Sequence, residues 1–291
     1  MNELTSALNL ERNPTDEEAS YIAIGISAAQ TSYELNNGTG VKVGYPLKYI
    51  DDGRVLTLPG SRPLKMVDLD GFTVRGVFNN SSTGLNAFLA VSQNTGVVII
   101  GLAGTNGFGK DWPDSKSDLV RLGVDQSLEL LNNENFISAL EQAVISIGGV
   151  SNLTKLVIAG QSLGGGIAPT IGLGLVNASS NANSQNSVQQ LEIPAEKIFT
   201  VSFNGFGNEY SSQLAGFSQE QIDRFNQQAS LHRIVIKNVK TDEFDLVSQL
   251  GGDFSGTDWI LPVEVANGLG PLHRFNFGGA DCSATFARFG S

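Results

Sequence analysis

Cysteine occurs once in this sequence, at Cys282, so no intramolecular disulfide can form. That suits the cytosol and equally suits bacterial secreted proteins. Basic residues are also scarce. Eighteen Lys and Arg stand against 29 Asp and Glu, for a formal net charge of −11. The balance argues against a nucleic-acid partner and against simple electrostatic attachment to an anionic membrane. No run of about 18 apolar residues is present, so no transmembrane segment is expected. The most apolar long stretch, 164–176, is rich in glycine, contains Pro169 and reads as a buried helix. The start, Met1-Asn2-Glu3-Leu4-Thr5, lacks the basic and apolar regions of a Sec signal peptide. Charged residues are few, 16% against 41% apolar, which points to a globular core rather than disorder. The 291 residues suffice for one large α/β domain or two small ones. With no internal repeat or convincing linker, the expectation is a single domain, 1–291, whose N-terminal helix and antiparallel strands (1–95) pack on one sheet.

Thr15-Asp16-Glu17-Glu18 reads as a capped helix start, with helix expected to about Gln30. Residues 41–50 are strand-like. Alternation over 72–78 predicts a half-buried strand, a turn follows at 79–84, and 85–91 is its antiparallel partner. The apolar run 97–100 predicts a central strand. Residues 101–123 look irregular and polar, with helix from about Asp125. In that helix Ile137, Leu140, Val144 and Ile147 mark one buried face, and Gly148-Gly149 ends it. Strands are expected at 155–159, 198–203, 231–239 and, as an edge carrying Pro262, 259–265. A polar helix capped by Ser218 spans 218–228. The Asn-, Ser- and Gln-rich stretch 178–190 is a surface loop. Strands alternate with helices from Val97 onward, the pattern of a mainly parallel sheet covered on both faces.

The chemistry is concentrated in Gly160-Gln161-Ser162-Leu163-Gly164. An apolar strand precedes it and a glycine-rich helix start follows. A serine at so tight a turn is forced outward, and a Cβ at either flanking glycine would collide with its neighbours. The helix start turns N–H groups and a positive dipole end toward any negative charge growing at the serine. The plainer interpretation is a glycine-rich turn with an idle serine.

A serine hydroxyl needs a base, and the chain has two histidines. His273, in a loop near the end, can fold back over the carboxyl edge of the sheet. His232 opens a strand and is expected to be solvated there. A carboxylate must hold the histidine. Asp242, Glu243 and Asp245 follow the 231–239 strand, and Asp245, before the apolar pair Leu246-Val247, is preferred to Asp242. The order Ser, Asp, His is then that of α/β-hydrolases. Two oxyanion donors are expected: the N–H of Leu163, and Thr105 from the loop after 97–100.

These residues resemble the class 3, fungal-type lipases of the α/β-hydrolase superfamily, over about 97–273. The family elbow G-H-S-L-G-G is matched by Gly160-Gln161-Ser162-Leu163-Gly164-Gly165 except at one place. Its oxyanion strand ends R-G-T or R-G-S; here Ala103-Gly104-Thr105 stands. Trp112 and Asp114 follow as a Trp–Asp pair commonly does, Asp245-Leu246-Val247 is close to the acid motif, and His273 comes late. The resemblance implies an α/β-hydrolase fold and a Ser162–Asp245–His273 triad. It also implies an oxyanion hole of Thr105 and Leu163, and a lid over 106–117 with Phe108 and Trp112. Cleavage of lipid acyl esters at an interface would need no cofactor and no metal. Phospholipase A1 or general esterase activity is the alternative within this chemistry, and a silent lipid-binding module is the alternative outside it. An extracellular location is expected, with the cytosol as the other possibility. Ala103 departs from the family arginine, Gln161 from its histidine, and Phe203-Asn204-Gly205 lacks its Ser-x-Pro. Pro169 is expected to disturb the elbow helix.

Overall fold

The computed structural model describes residues 14–33, 35, 41–47, 55–57, 63–65, 69–104, 116–177, 191–238, 243–244, 254 and 256–263. Helix α1, Asp16–Tyr33, begins where the sequence puts it and runs three residues past Gln30. Its start is a reciprocal cap: Glu18 N donates to Thr15 Oγ1 at 3.2 Å and Thr15 N donates to Glu18 Oε2 at 2.8 Å. The buried hydroxyls of Thr31 and Ser32 donate to the Ser27 and Ala29 carbonyls, so burying them leaves no unmet donor.

A short antiparallel pair, β1 (Val55–Thr57) and β2 (Pro63–Lys65), stands apart from the main sheet. The main sheet holds β3 (Thr73–Asn80), β4 (Leu85–Ser92), β5 (Val97–Leu102), β6 (Lys155–Gln161), β7 (Ile198–Phe203), β8 (Ser230–Asn238), β9 (Glu243–Phe244) and β10 (Thr257–Val263). Its order is β10-β8-β7-β6-β5-β4-β3, with β9 paired to β8. β3, β4 and β5 pair antiparallel, and β5 through β8 and β10 pair parallel. The sheet is thus mixed and mainly parallel. β4, β5 and β7 are buried at every position, as strands covered on both faces must be. Pro262 lies on the edge strand, where a missing N–H is tolerated.

Alternate residues of the sheet serve two cores. Val157, Ala159, Phe199, Val201 and Ile234 join Ile22 and Ile26 of α1 on one face. Leu156, Ile158 and Ile198 join the other face, with residues of α2 (Lys116–Leu131), α3 (Glu134–Ser146), α4 (Leu163–Asn177) and α6 (Gln219–Gln228). This is the mainly parallel sheet with helices on both faces expected from the sequence. Ser218 caps α6 in a full capping box with Gln221.

Four expectations change. Residues 41–47 form a turn rather than a strand, with one bridge from Pro46 to Thr73. Gly44 at φ 85° breaks the pleat there. Positions 48–50 lie outside the described residues. Second, α2 starts at Lys116 rather than near Asp125, and Asn133 caps α3 separately by accepting from Asn135 N and Phe136 N. The buried face of α2 includes Gly123 and Ser127, small residues that leave little trace in an apolar pattern. Third, α4 runs unbroken through Pro169. Pro169 forgoes the bond to the Gly165 carbonyl, yet the helix is buried along almost its whole length and its packing holds it. Fourth, a short helix, α5 (Asn208–Leu214), follows β7 unannounced by the sequence. The loop 178–190 lies outside the described residues.

Candidate active site

Ser162 stands between β6 and α4 with φ 56°, in the left-handed region that a residue with a Cβ rarely adopts. Backbone bonds hold it from both sides. Its N–H donates to Phe203 O at 2.8 Å, and its carbonyl accepts the first bond of α4, from Gly166 N at 3.0 Å. The N–H groups of Leu163, Gly164 and Gly165 precede that bond, so they belong to the open end of the helix. No charged residue occurs in α4, so no acid in its first turn offsets the positive end of the dipole.

The flanking glycines do what the sequence requires of them. A Cβ on Gly160 would strike the Gly164 carbonyl group, and one on Gly164 would meet the Leu102 and Ala103 carbonyl oxygens at 2.6 Å. These obstacles are backbone and cannot rotate away. The bend therefore sits where two strand ends and a helix start touch. The next strand end is built alike. Asn204, after β7, is buried with φ 46°, and its N–H donates to Ile234 O at 2.8 Å. Asparagine tolerates that conformation better than most residues, and Asn-Gly is a turn signal, so this feature was legible in the sequence.

Beside Ser162 runs the segment leaving β5. Ala103 N donates to Asn86 O at 3.0 Å, and Gly104 N donates to the Tyr33 hydroxyl oxygen at 3.0 Å. A Cβ on Gly104 would meet Gln161 O at 2.8 Å and Ser162 Cβ at 3.0 Å, so this backbone lies directly on the serine. The Tyr33 contact has no signal in the sequence. It joins residues 71 apart, and no local pattern encodes such a meeting.

Of the expected site residues, Ser162 and Leu163 are described, and Leu163 opens α4 with its side chain fully buried. Thr105, Asp242, Asp245 and His273 lie outside the described residues, as do 106–115 of the expected lid, Trp112 and Asp114 included. Lys116 and Ser117, the end of that stretch, belong to α2. Glu243 lies in β9, folded back on the end of β8 opposite Asn238.

His232 is not the solvated strand start that the sequence suggested. It is 2% exposed, with Nε2 3.9 Å from Glu18 Oε1 and its ring 4.6 Å from that of Phe199. The sequence pattern places this strand start in solvent, but α1 packs there and brings Glu18 over it. In the sheet His232 is level with Val201, and Val201 with Ala159. That is three residues before Ser162, about 10 Å of strand, and on the α1 side rather than the α4 side. Among the described residues no group of three or more His, Cys, Asp or Glu could hold a metal ion, and no helix is long and apolar enough to cross a membrane.

The described part of the site thus offers a hydroxyl fixed at a cramped bend, a helix start behind it and a backbone segment alongside. No protein-family model matches the chain, and no curated protein matches it significantly. Solved structures that it resembles include lipase II from Rhizopus niveus, at 13% identity and a TM-score of 0.46, covering 77% of this chain and 73% of that one. A triacylglyceride lipase from Rhizomucor miehei matches at 12% and 0.46, covering 78% and 74%. A triacylglycerol lipase from Penicillium expansum matches at 13% and 0.46, covering 83% and 80%. At these identities and scores the likeness carries no inference about activity.

Proposed function

We propose that this protein is a serine ester hydrolase acting on lipid acyl esters. The observation that carries the proposal is the left-handed backbone of Ser162, held at a strand–helix bend that only glycine neighbours permit. Strain of this kind costs stability and persists at sites where the conformation is used. The Ser162 hydroxyl attacks the acyl carbonyl. His273 takes its proton and later passes it to the leaving alcohol, while Asp245 orients the imidazole. The N–H groups of Leu163 and Thr105 hold the oxyanion. Water, deprotonated by the same imidazole, then releases the fatty acid and frees the serine. The choice of base is supported by elimination: with His232 buried under α1, the remaining histidine is His273. The reading takes 1–291 as one domain.

Hydrolysis of p-nitrophenyl esters tests it. Ser162→Ala and His273→Ala should each lose at least about 10³-fold in kcat, while His232→Phe, which keeps a ring against Phe199, should stay active. Equal rates for the wild type and Ser162→Ala would leave a silent lipid-binding fold as the better reading. Activity lost in His232→Phe and kept in His273→Ala would reverse the assignment of the base. A panel of triglycerides, phospholipids and short esters then separates lipase, phospholipase A1 and general esterase.

A further inference from the structure

The geometry points to Tyr33 as a positioning residue of this site: its hydroxyl fixes the backbone segment that delivers the second oxyanion donor. The inference rests on the reading of Ser162 as the nucleophile and of Thr105, which lies outside the described residues, as the second donor. β5 leaves the sheet at Leu102, and the next two N–H groups each find a fixed acceptor, Asn86 O for Ala103 and Tyr33 Oη for Gly104. Gly104 is the residue before Thr105. One carbon added to Gly104 would touch both Tyr33 Oη, at 2.5 Å, and Ser162 Cβ, at 3.0 Å. The phenol oxygen and the serine Cβ therefore both border the space that a Gly104 side chain would need.

Gly104 has no side chain to limit its rotation, so without an anchor the peptide that follows could swing. Tyr33 supplies the anchor from a rigid base. It is the last residue of α1, whose apolar face is sealed against β5, β6 and β7 by Ile22, Ile26 and Ala29. Oxyanion stabilisation requires donors about 2.7–3.1 Å from the developing charge, and a misplacement of about 1 Å can cost about 10²-fold in rate.

Tyr33→Phe removes only the hydroxyl. With p-nitrophenyl butyrate, kcat is expected to fall about 10- to 100-fold while KM stays within about two-fold. Affinity for an alkyl trifluoromethyl ketone, which adds Ser162 and carries an oxyanion, should fall by the same factor. Affinity for the matching alcohol should not change. Tyr210→Phe, at an exposed tyrosine, should behave as wild type. An active wild type matched by Tyr33→Phe in kcat and ketone affinity overturns the inference alone. So does equal weakening of ketone and alcohol binding together with a lowered melting temperature, which would make the phenol merely structural. A wild type no faster than Ser162→Ala removes the hydrolase reading and this inference with it. Should Tyr33→Phe fail to fold, Gly104→Ala approaches the contact from the other side, and an unchanged kcat there overturns the inference as well.

Discussion

Helices α1 and α4 lie against β6 from opposite faces, and they begin in opposite ways. α1 has a capping box, three acids in its first turn and a start readable from four residues. α4 starts on a left-handed serine, carries no charge and runs through five glycines and a proline. Local preference supports α1 and works against α4, so the start of α4 is imposed by what surrounds it: Phe203 O, the Leu102 and Ala103 carbonyls, and Gly104. The difference teaches where stability has been exchanged for position. A helix that only packs can be locally well formed. A helix that must deliver one atom to one place is held by its neighbours.

Close approach to the sheet gives the largest expected contrast. Gly164→Ala drives a methyl into two backbone carbonyls and should cost about 3 kcal/mol or more in urea unfolding. Gly25→Ala on α1 meets Val201 Cγ2 at 2.8 Å and the Cβ atoms of Val201 and Ala159 at 3.0 and 3.2 Å, side chains rather than carbonyls, and gains helix propensity, so its net cost should be smaller, about 1–2 kcal/mol. Equal costs would remove the contrast. Next, Ser162→Gly relieves the left-handed strain and should stabilise the fold by about 1 kcal/mol while abolishing hydrolysis. A destabilised glycine variant would mean that the bend stores no strain. Thr15→Ala breaks the cap of α1 and should cost about 1 kcal/mol by thermal unfolding, with kcat unchanged. The smallest effect lies at Tyr21. Burial and the Glu17 carboxylate raise its phenol above the ordinary tyrosine value. The neutral form is then favoured by folding, so its contribution is present below about pH 10 and is lost as pH rises through the folded value. Tyr21→Phe should flatten the alkaline limb of the stability–pH curve, and an unchanged limb would place that loss elsewhere.

Much of this molecule could be read along the chain. The elbow, β3 to β8 and the caps at Thr15 and Ser218 are all encoded within a few residues of themselves, by alternation, apolar runs or a capping side chain. The misreadings share a cause. The start of α2 leaves no apolar pattern because Gly123 and Ser127 serve a buried face without being apolar. Residues 41–47 look like a strand until Gly44 turns the backbone over. His232 was placed in solvent because α1, which covers it, comes from the far end of the sequence. The contact from Tyr33 to Gly104 belongs to the same class: two segments distant in the chain and neutral in pattern meet only in three dimensions. Thr105, Asp245 and His273 remain the proposal's partners for Ser162 on sequence grounds.

The sheet order also bears on how the chain matures. α1 is synthesised before the sheet, but most of its packing is against β5, β6 and β7, and the core it joins reaches as late as Ile234 of β8. Until those strands emerge and pair, Ile22 and Ile26 lack most of the surface they pack on. Such non-local pairing slows folding and leaves sticky surface open to other chains. The helix that locks the nucleophile strand from behind is therefore an early-made part with a late-made seat, and the newborn protein depends on keeping that face shielded while it waits.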